Sequence, residues 1–201
     1  MKGNSRPKVV LSVLLAISLL TTGCTAQWIS VALADLPVLV QMALNIGSLV
    51  TTLQSGQQLS ASEAQAIQHI SAEAGKDLNL LQTLYQQYQA SPTAGGLQKI
   101  QSTVADISQN LPTLLQAAHI GDPLLSARLG AAVNLILATV TSFAALIPQV
   151  SGMPAARKRA TSGKKAVVPE PQELKKQWNQ TVCGITGKAS LDSALSLCAL
   201  K

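Results

Sequence analysis

Apolar residues recur every three or four positions through four long segments of this chain. These segments lie near residues 28–54, 61–89, 97–118 and 123–147. This spacing places the apolar side chains on one face of an α-helix. Because short turns join the segments and strand signals are nearly absent, the pattern predicts an all-α fold, an antiparallel four-helix bundle. Its core would be aliphatic, since apolar residues make up 47% of the chain and aromatic residues only 2%.

Two helix starts are marked by capping residues. Ser60 and Glu63 have the spacing of a capping box, in which side chain and backbone of the two residues bond reciprocally. Asp122 and Pro123 have the order expected of an N-cap followed by the first helical residue. The second and fourth helices are therefore expected to begin at residues 61 and 123.

Two prolines fall inside predicted helices. Pro37 lies in the first helix, where we expect it to kink the helix or to mark a first turn. Pro112 lies in the third helix, and there we expect a kink or a break near Asn110. The reason is the same in both cases, since proline lacks the backbone N–H that an interior helical residue donates.

The N-terminus has the pattern of an export signal. Three basic residues, Lys2, Arg6 and Lys8, precede an uncharged apolar run of 12 residues, 9–20. As a helix this run would be roughly 18 Å long, well short of the ~30 Å hydrocarbon core of a bilayer. The length is typical of the apolar region of a secretory signal.

The residues that follow this run are Leu20-Thr21-Thr22-Gly23-Cys24. They resemble the lipobox of a bacterial lipoprotein signal peptide, with small residues before the cysteine; the commonest lipobox has Leu where this chain has Thr21. The resemblance covers residues 1–24. The alternatives are an ordinary cleaved signal, cut for instance after Ala26 so that Cys24 is lost, and a retained anchor helix.

The resemblance implies that residues 1–23 are a signal peptide and that residues 24–27 are a lipid-anchored N-terminus. Cys24 would carry a diacylglyceryl group and an N-acyl chain such as palmitate, which together hold a protein stably on a membrane. The protein would lie in the bacterial cell envelope. Because Thr25 is not Asp, the outer membrane facing the periplasm is favoured where the host has one.

Charge is unevenly distributed along the remainder of the chain. Residues 25–150 have a net charge of −3 and residues 151–201 a net charge of +6. We expect a bundle over residues 28–150, a flexible basic linker over 151–171, which is rich in glycine and proline, and a helical hairpin over 172–201.

The basic surface of this linker is formed by Arg157, Lys158, Arg159, Lys164 and Lys165. One hypothesis is contact with anionic lipid headgroups, worth about 1 kcal/mol per basic residue. The alternative is a linker that its charges merely keep solvated. Nucleic acid is not an expected partner, since no aromatic residues interleave with the charges to stack on bases.

If Cys24 is acylated, Cys183 and Cys198 remain as a pair. An even pair in an exported protein favours a disulfide. The bond would close a loop of roughly 15 residues and stabilise the hairpin by about 3 kcal/mol in the chain-entropy model. Two reduced, buried thiols are the alternative.

The sequence offers no catalytic residues, no metal ligands and no cofactor motif. Its two histidines, His69 and His119, fall on different predicted helices. We therefore predict a non-enzymatic, lipid-anchored envelope-structural or interaction module with an unknown protein partner. One alternative is a membrane-inserting helical protein that uses residues 28–54 and 124–147. A second alternative is a small-ligand carrier or enzyme that uses the bundle interior.

Overall fold

The structure, a computed structural model, describes the backbone of residues 6–56, 59–147 and 168–201, and the side chains in these ranges from Trp28 onward. Within these ranges it contains helices and no strand, which confirms the predicted all-α fold. The helices are α1 (Arg6–Ser55), α2 (Ala61–Ala90), α3 (Ala94–Ala117), α4 (Pro123–Leu146), α5 (Pro171–Thr181) and α6 (Ala189–Ser196).

Helices α1 to α4 form the predicted four-helix bundle. Each packs against the next along the chain, and α1 also packs against α4, which closes the bundle. Every helix contributes fully buried aliphatic residues, for example Leu39, Leu78, Ile107 and Ile136. Burying side chains of this size stabilises the fold by about 1.5–3 kcal/mol each.

Neither proline ends the helix that contains it. Helix α1 runs through Pro37, so this residue does not mark a first turn, and α3 runs through Pro112 without a break near Asn110. Proline removes only one backbone donor. In α3, Ile107 and Leu111 are both fully buried, and their burial offsets that loss.

The predicted caps of α2 and α4 are confirmed. The Ser60 hydroxyl accepts from the Glu63 N–H, and Glu63 Oε2 accepts from the Ser60 N–H at 2.9 Å. Asp122 Oδ1 accepts from two N–H groups in the first turn of α4. Glu63 Oε1 also accepts from the Gly121 N–H at 2.8 Å, which ties the start of α2 to the loop between α3 and α4.

Helices α5 and α6 form the predicted C-terminal hairpin, which a Cys183–Cys198 disulfide closes. The hairpin is docked on the bundle, since α5 packs against α1 and α4, and α6 packs against α1. Trp178 is fully buried, and its indole Nε1 donates to the Cys198 carbonyl at 2.9 Å. Most of the predicted flexible linker, residues 151–167, lies outside the described residues, whereas its last residue, Pro171, begins α5.

Candidate functional site

The residues that the sequence predicts to meet the membrane are only partly described. Cys24 belongs to the backbone of α1, but its side chain lies outside the described residues. Arg157, Lys158, Arg159, Lys164 and Lys165 also lie outside them. The acylation and the headgroup contact therefore stay predictions. The described helices do show where Cys24 and the basic segment join the bundle.

Four of the chain's five aromatic residues meet at one end of the bundle. The ring of Trp28 lies 5.6 Å from that of Tyr85 in an edge-to-face arrangement and 6.1 Å from that of Tyr88. The ring of Tyr85 also lies 6.2 Å from that of Phe143. Pairs of this kind add about 0.5–1.5 kcal/mol beyond burial. We call this region, which joins α1, α2 and α4, the aromatic end.

The aromatic end is also the place where the chain leaves the bundle. Helix α4 ends one turn after Phe143, where Ile147 is buried, and the chain then enters residues 148–167 with their basic side chains. Cys24 precedes Trp28 by four residues within the same helix, an axial rise of about 6 Å. Cys24 and the start of the basic segment therefore belong to the same end of the bundle.

Helix α1 contains a buried carboxyl group that the sequence analysis did not single out. Asp35 is 0% exposed, and neither of its carboxyl oxygens has a hydrogen-bond partner. Burial, with a smaller contribution from the charge of Glu170, raises the pKa of Asp35 to about 7. A buried polar group without a partner is uncommon in folded proteins and calls for an explanation.

A groove of about 430 Å³ lies beside Asp35, between α1 and the segment that leads into α5. Its walls are mostly apolar, and Glu170 brings a second carboxylate, which is exposed. The residues that line it are Val31, Ala34, Asp35, Val168, Pro169, Glu170 and Pro171. The groove therefore combines apolar walls with two acidic groups.

The described cations near α1 and α4 are bound elsewhere. Lys175 Nζ donates to the Lys201 carbonyl at 2.8 Å, and Arg128 donates to the carbonyls of Thr181 and Ile185. None of the salt bridges found among the described residues includes Asp35. Its carboxyl thus has no described counter-charge.

Sequence reasoning had one signal available for this site. Asp35 directly precedes the buried Leu36 and follows Trp28 by seven residues, so it lies on the same face of α1 as core residues. An acidic residue within the apolar stripe of a helix is a stronger indication of a buried site than the spacing between acidic residues.

Other polar groups form weaker candidates. Trp28 Nε1 and the Tyr85 hydroxyl are buried without partners, and burial raises the pKa of Tyr85. His69 lies beside Glu73 in a shallow groove of about 230 Å³, and His119 is exposed just after α3. Among the described residues no group of three His, Cys, Asp or Glu side chains could hold a metal ion.

Two described helical segments, Trp28–Ser55 and Pro123–Leu146, are long and apolar enough to cross a membrane. The core helix of a soluble bundle meets the same criteria, and half of the apolar stretch in the first segment is buried inside the structure. No protein-family model, curated protein or solved structure matches this chain.

Proposed function

We propose that this chain is a lipid-anchored, exported helical protein that serves as a non-enzymatic structural or interaction module of the bacterial cell envelope. The observation that carries the proposal is that α1 is continuous from Cys24 to Ser55 and so joins Cys24 directly to the bundle core. Acyl chains on Cys24 would then hold a folded bundle close to the bilayer.

The aromatic end supports this orientation. Trp28 lies one turn of helix beyond Cys24, and Tyr88, which is half-buried, lies beside it. Tyrosine suits a membrane interface, because it combines an apolar ring with a polar group, so Tyr88 is the residue of this end that would reach the headgroups, whereas Trp28 is buried and packs against it. In this arrangement the aromatic end faces the headgroups of the anchoring membrane.

The basic segment would add an electrostatic contact on the same side. The chain enters residues 148–167 from the aromatic end, so the five basic residues at 157–165 would start close to the headgroups. Attraction to anionic lipids falls off within a Debye length, about 8 Å at physiological salt, so proximity decides whether it acts. The opposite end, with the loops before α2 and α4, would remain available to a partner protein.

Intact mass spectrometry of the membrane-extracted protein tests the anchor. We expect a chain that begins at Cys24 and carries acyl mass. A Cys24→Ser variant should lose that mass and accumulate in the soluble fraction or as the unprocessed precursor. The matched control is Thr25→Ser, which makes a similarly small change at the next position and should leave the acyl mass intact.

An unmodified chain that starts beyond Cys24 would contradict the proposal. To test the headgroup contact separately, the five basic residues at 157–165 are replaced by Gln. This variant should keep its acyl mass and lose retention on anionic vesicles at low salt, while binding to zwitterionic vesicles stays unchanged.

The second candidate function is membrane insertion by α1 and α4, which their length and apolar composition favour. It predicts a different outcome of the same experiment. A Cys24→Ser chain that remains in the membrane pellet after carbonate washing, with its N-terminal residues removed, would support insertion. Release of that chain by carbonate would support the anchored bundle.

A further inference from the structure

We infer that the groove beside Asp35 binds an organic cation, a primary ammonium or guanidinium group carried on a short apolar body. The inference does not depend on the lipid anchor. It starts from the carboxyl of Asp35, which is fully buried with both oxygens unpartnered. A carboxylate accepts hydrogen bonds at both oxygens, and an ammonium or guanidinium group supplies the donors that this one lacks.

Glu170 strengthens the preference for a cation. It belongs to the groove, is exposed, and acts electrostatically on Asp35, since its charge opposes ionisation of the buried carboxyl. A bound cation would reverse this effect, because an opposite charge close to Asp35 favours its ionised form. Two carboxylates with no described cation between them therefore attract a positively charged group.

The walls of the groove define the rest of the ligand. Val31, Ala34, Val168 and Pro169 present apolar surface, and the volume of about 430 Å³ fits a small molecule. A hydrated metal ion would gain little from such walls, and hard cations usually take six or more oxygen ligands. An alkyl chain that ends in a charged amino group would pack against the apolar walls and pair with the carboxylates.

The test is a ¹H–¹⁵N chemical-shift titration of the full-length protein in non-ionic detergent at about pH 8.5, where Asp35 is ionised. The probe is n-butylammonium chloride, compared with sodium chloride at the same ionic strength and with n-butanol. We expect saturable shifts at the amides of Ala34, Asp35 and Val168 with the ammonium probe. Neither sodium chloride nor butanol should produce them.

Variants separate the groove from a general charge effect. Asp35→Asn keeps the shape of the side chain and should weaken binding at least about tenfold, and Glu170→Gln should weaken it about threefold. Glu173→Gln removes the same charge from an exposed position in α5 outside the groove and should change nothing. Unchanged affinity in Asp35→Asn, equal shifts with butanol, or no saturable shifts with the ammonium probe would each overturn the inference.

Discussion

The bundle and the C-terminal hairpin are stabilised in different ways. The bundle consists of long helices whose buried residues are mostly aliphatic, and the starts of α2 and α4 are capped by Ser60 and Asp122. The hairpin has two helices of 11 and 8 residues. It is held by a disulfide and by side chains that bond to backbone groups of its last residues, such as Asn179, which donates to the Leu200 carbonyl and accepts from the Leu200 N–H.

The difference follows from size. A long amphipathic helix buries enough apolar surface to hold its position by packing alone, whereas helices of about ten residues are marginal in water. The hairpin therefore depends on covalent closure and on docking to α1 and α4. We expect damage to the bundle core to unfold the protein as a whole, and damage to the hairpin to release mainly the hairpin.

Replacing Trp178 with Ala should have the largest effect on the hairpin. The indole ring is fully buried, and its Nε1 bonds to the Cys198 carbonyl, so its loss should destabilise the hairpin by about 3–5 kcal/mol. Limited proteolysis should then cut within residues 171–201. Ile185→Ala is the control, because that side chain is 87% exposed and should be within about 0.5 kcal/mol of wild type.

Removing the disulfide should have the next largest effect. A Cys183→Ala/Cys198→Ala double variant should lose about 3 kcal/mol, since the bond restricts a loop of roughly 15 residues in the unfolded chain. Hydrogen exchange should speed up in α5 and α6 and remain slow in α2. Equal acceleration in α2 would show that the two regions unfold as one unit.

Asp35 gives a pH-dependent effect within the bundle. Its pKa is about 7 in the folded protein and near 3.8 in the unfolded chain, so the unfolded chain loses this proton first as pH rises. Wild type should therefore lose stability between about pH 4 and 7 relative to Asp35→Asn, by about 3 kcal/mol. Parallel urea titrations at pH 4.5 and 8 measure the difference, and a pH-independent difference would contradict the folded-state pKa.

The cap at Ser60 should have the smallest effect. Ser60→Ala removes the hydroxyl that accepts from the Glu63 N–H and should destabilise the bundle by about 1 kcal/mol. Gln65→Ala is the control, since that side chain is exposed early in α2 and takes no part in the cap. Chemical denaturation of both variants, with the hairpin disulfide intact, measures the contribution of the cap.

The sequence predicted the fold well where local chemistry decides it. Apolar spacing located the helices, and the Ser60 and Asp122 motifs fixed two starts to the residue. Of the kink or break expected near Asn110, the break does not occur, because burial of Ile107 and Leu111 depends on neighbours that lie far away along the chain. For the same reason the sequence did not indicate the Asp35 groove, whose two carboxylates are 135 residues apart in sequence.

The predicted acylation of Cys24 involves residues whose side chains lie outside the described part of the chain. Acylation at Cys24 would depend on the residues around the cysteine and not on the packing of the bundle helices, so that packing does not test it. What the fold adds is the location of Cys24 in α1 and of the chain exit after Ile147. Both belong to the aromatic end.

The bonds made by Glu63 also have a consequence for motion. Hydrogen bonds from the Ser60 hydroxyl and from the Gly121 N–H hold the pKa of this carboxylate below its usual range. The Glu63 side chain thus accepts hydrogen bonds both at the start of α2 and in the loop before α4. Local unfolding of either segment would break a bond to the same carboxylate. Their amides should exchange with solvent in a single fluctuation, which makes two loops distant in sequence one dynamic unit.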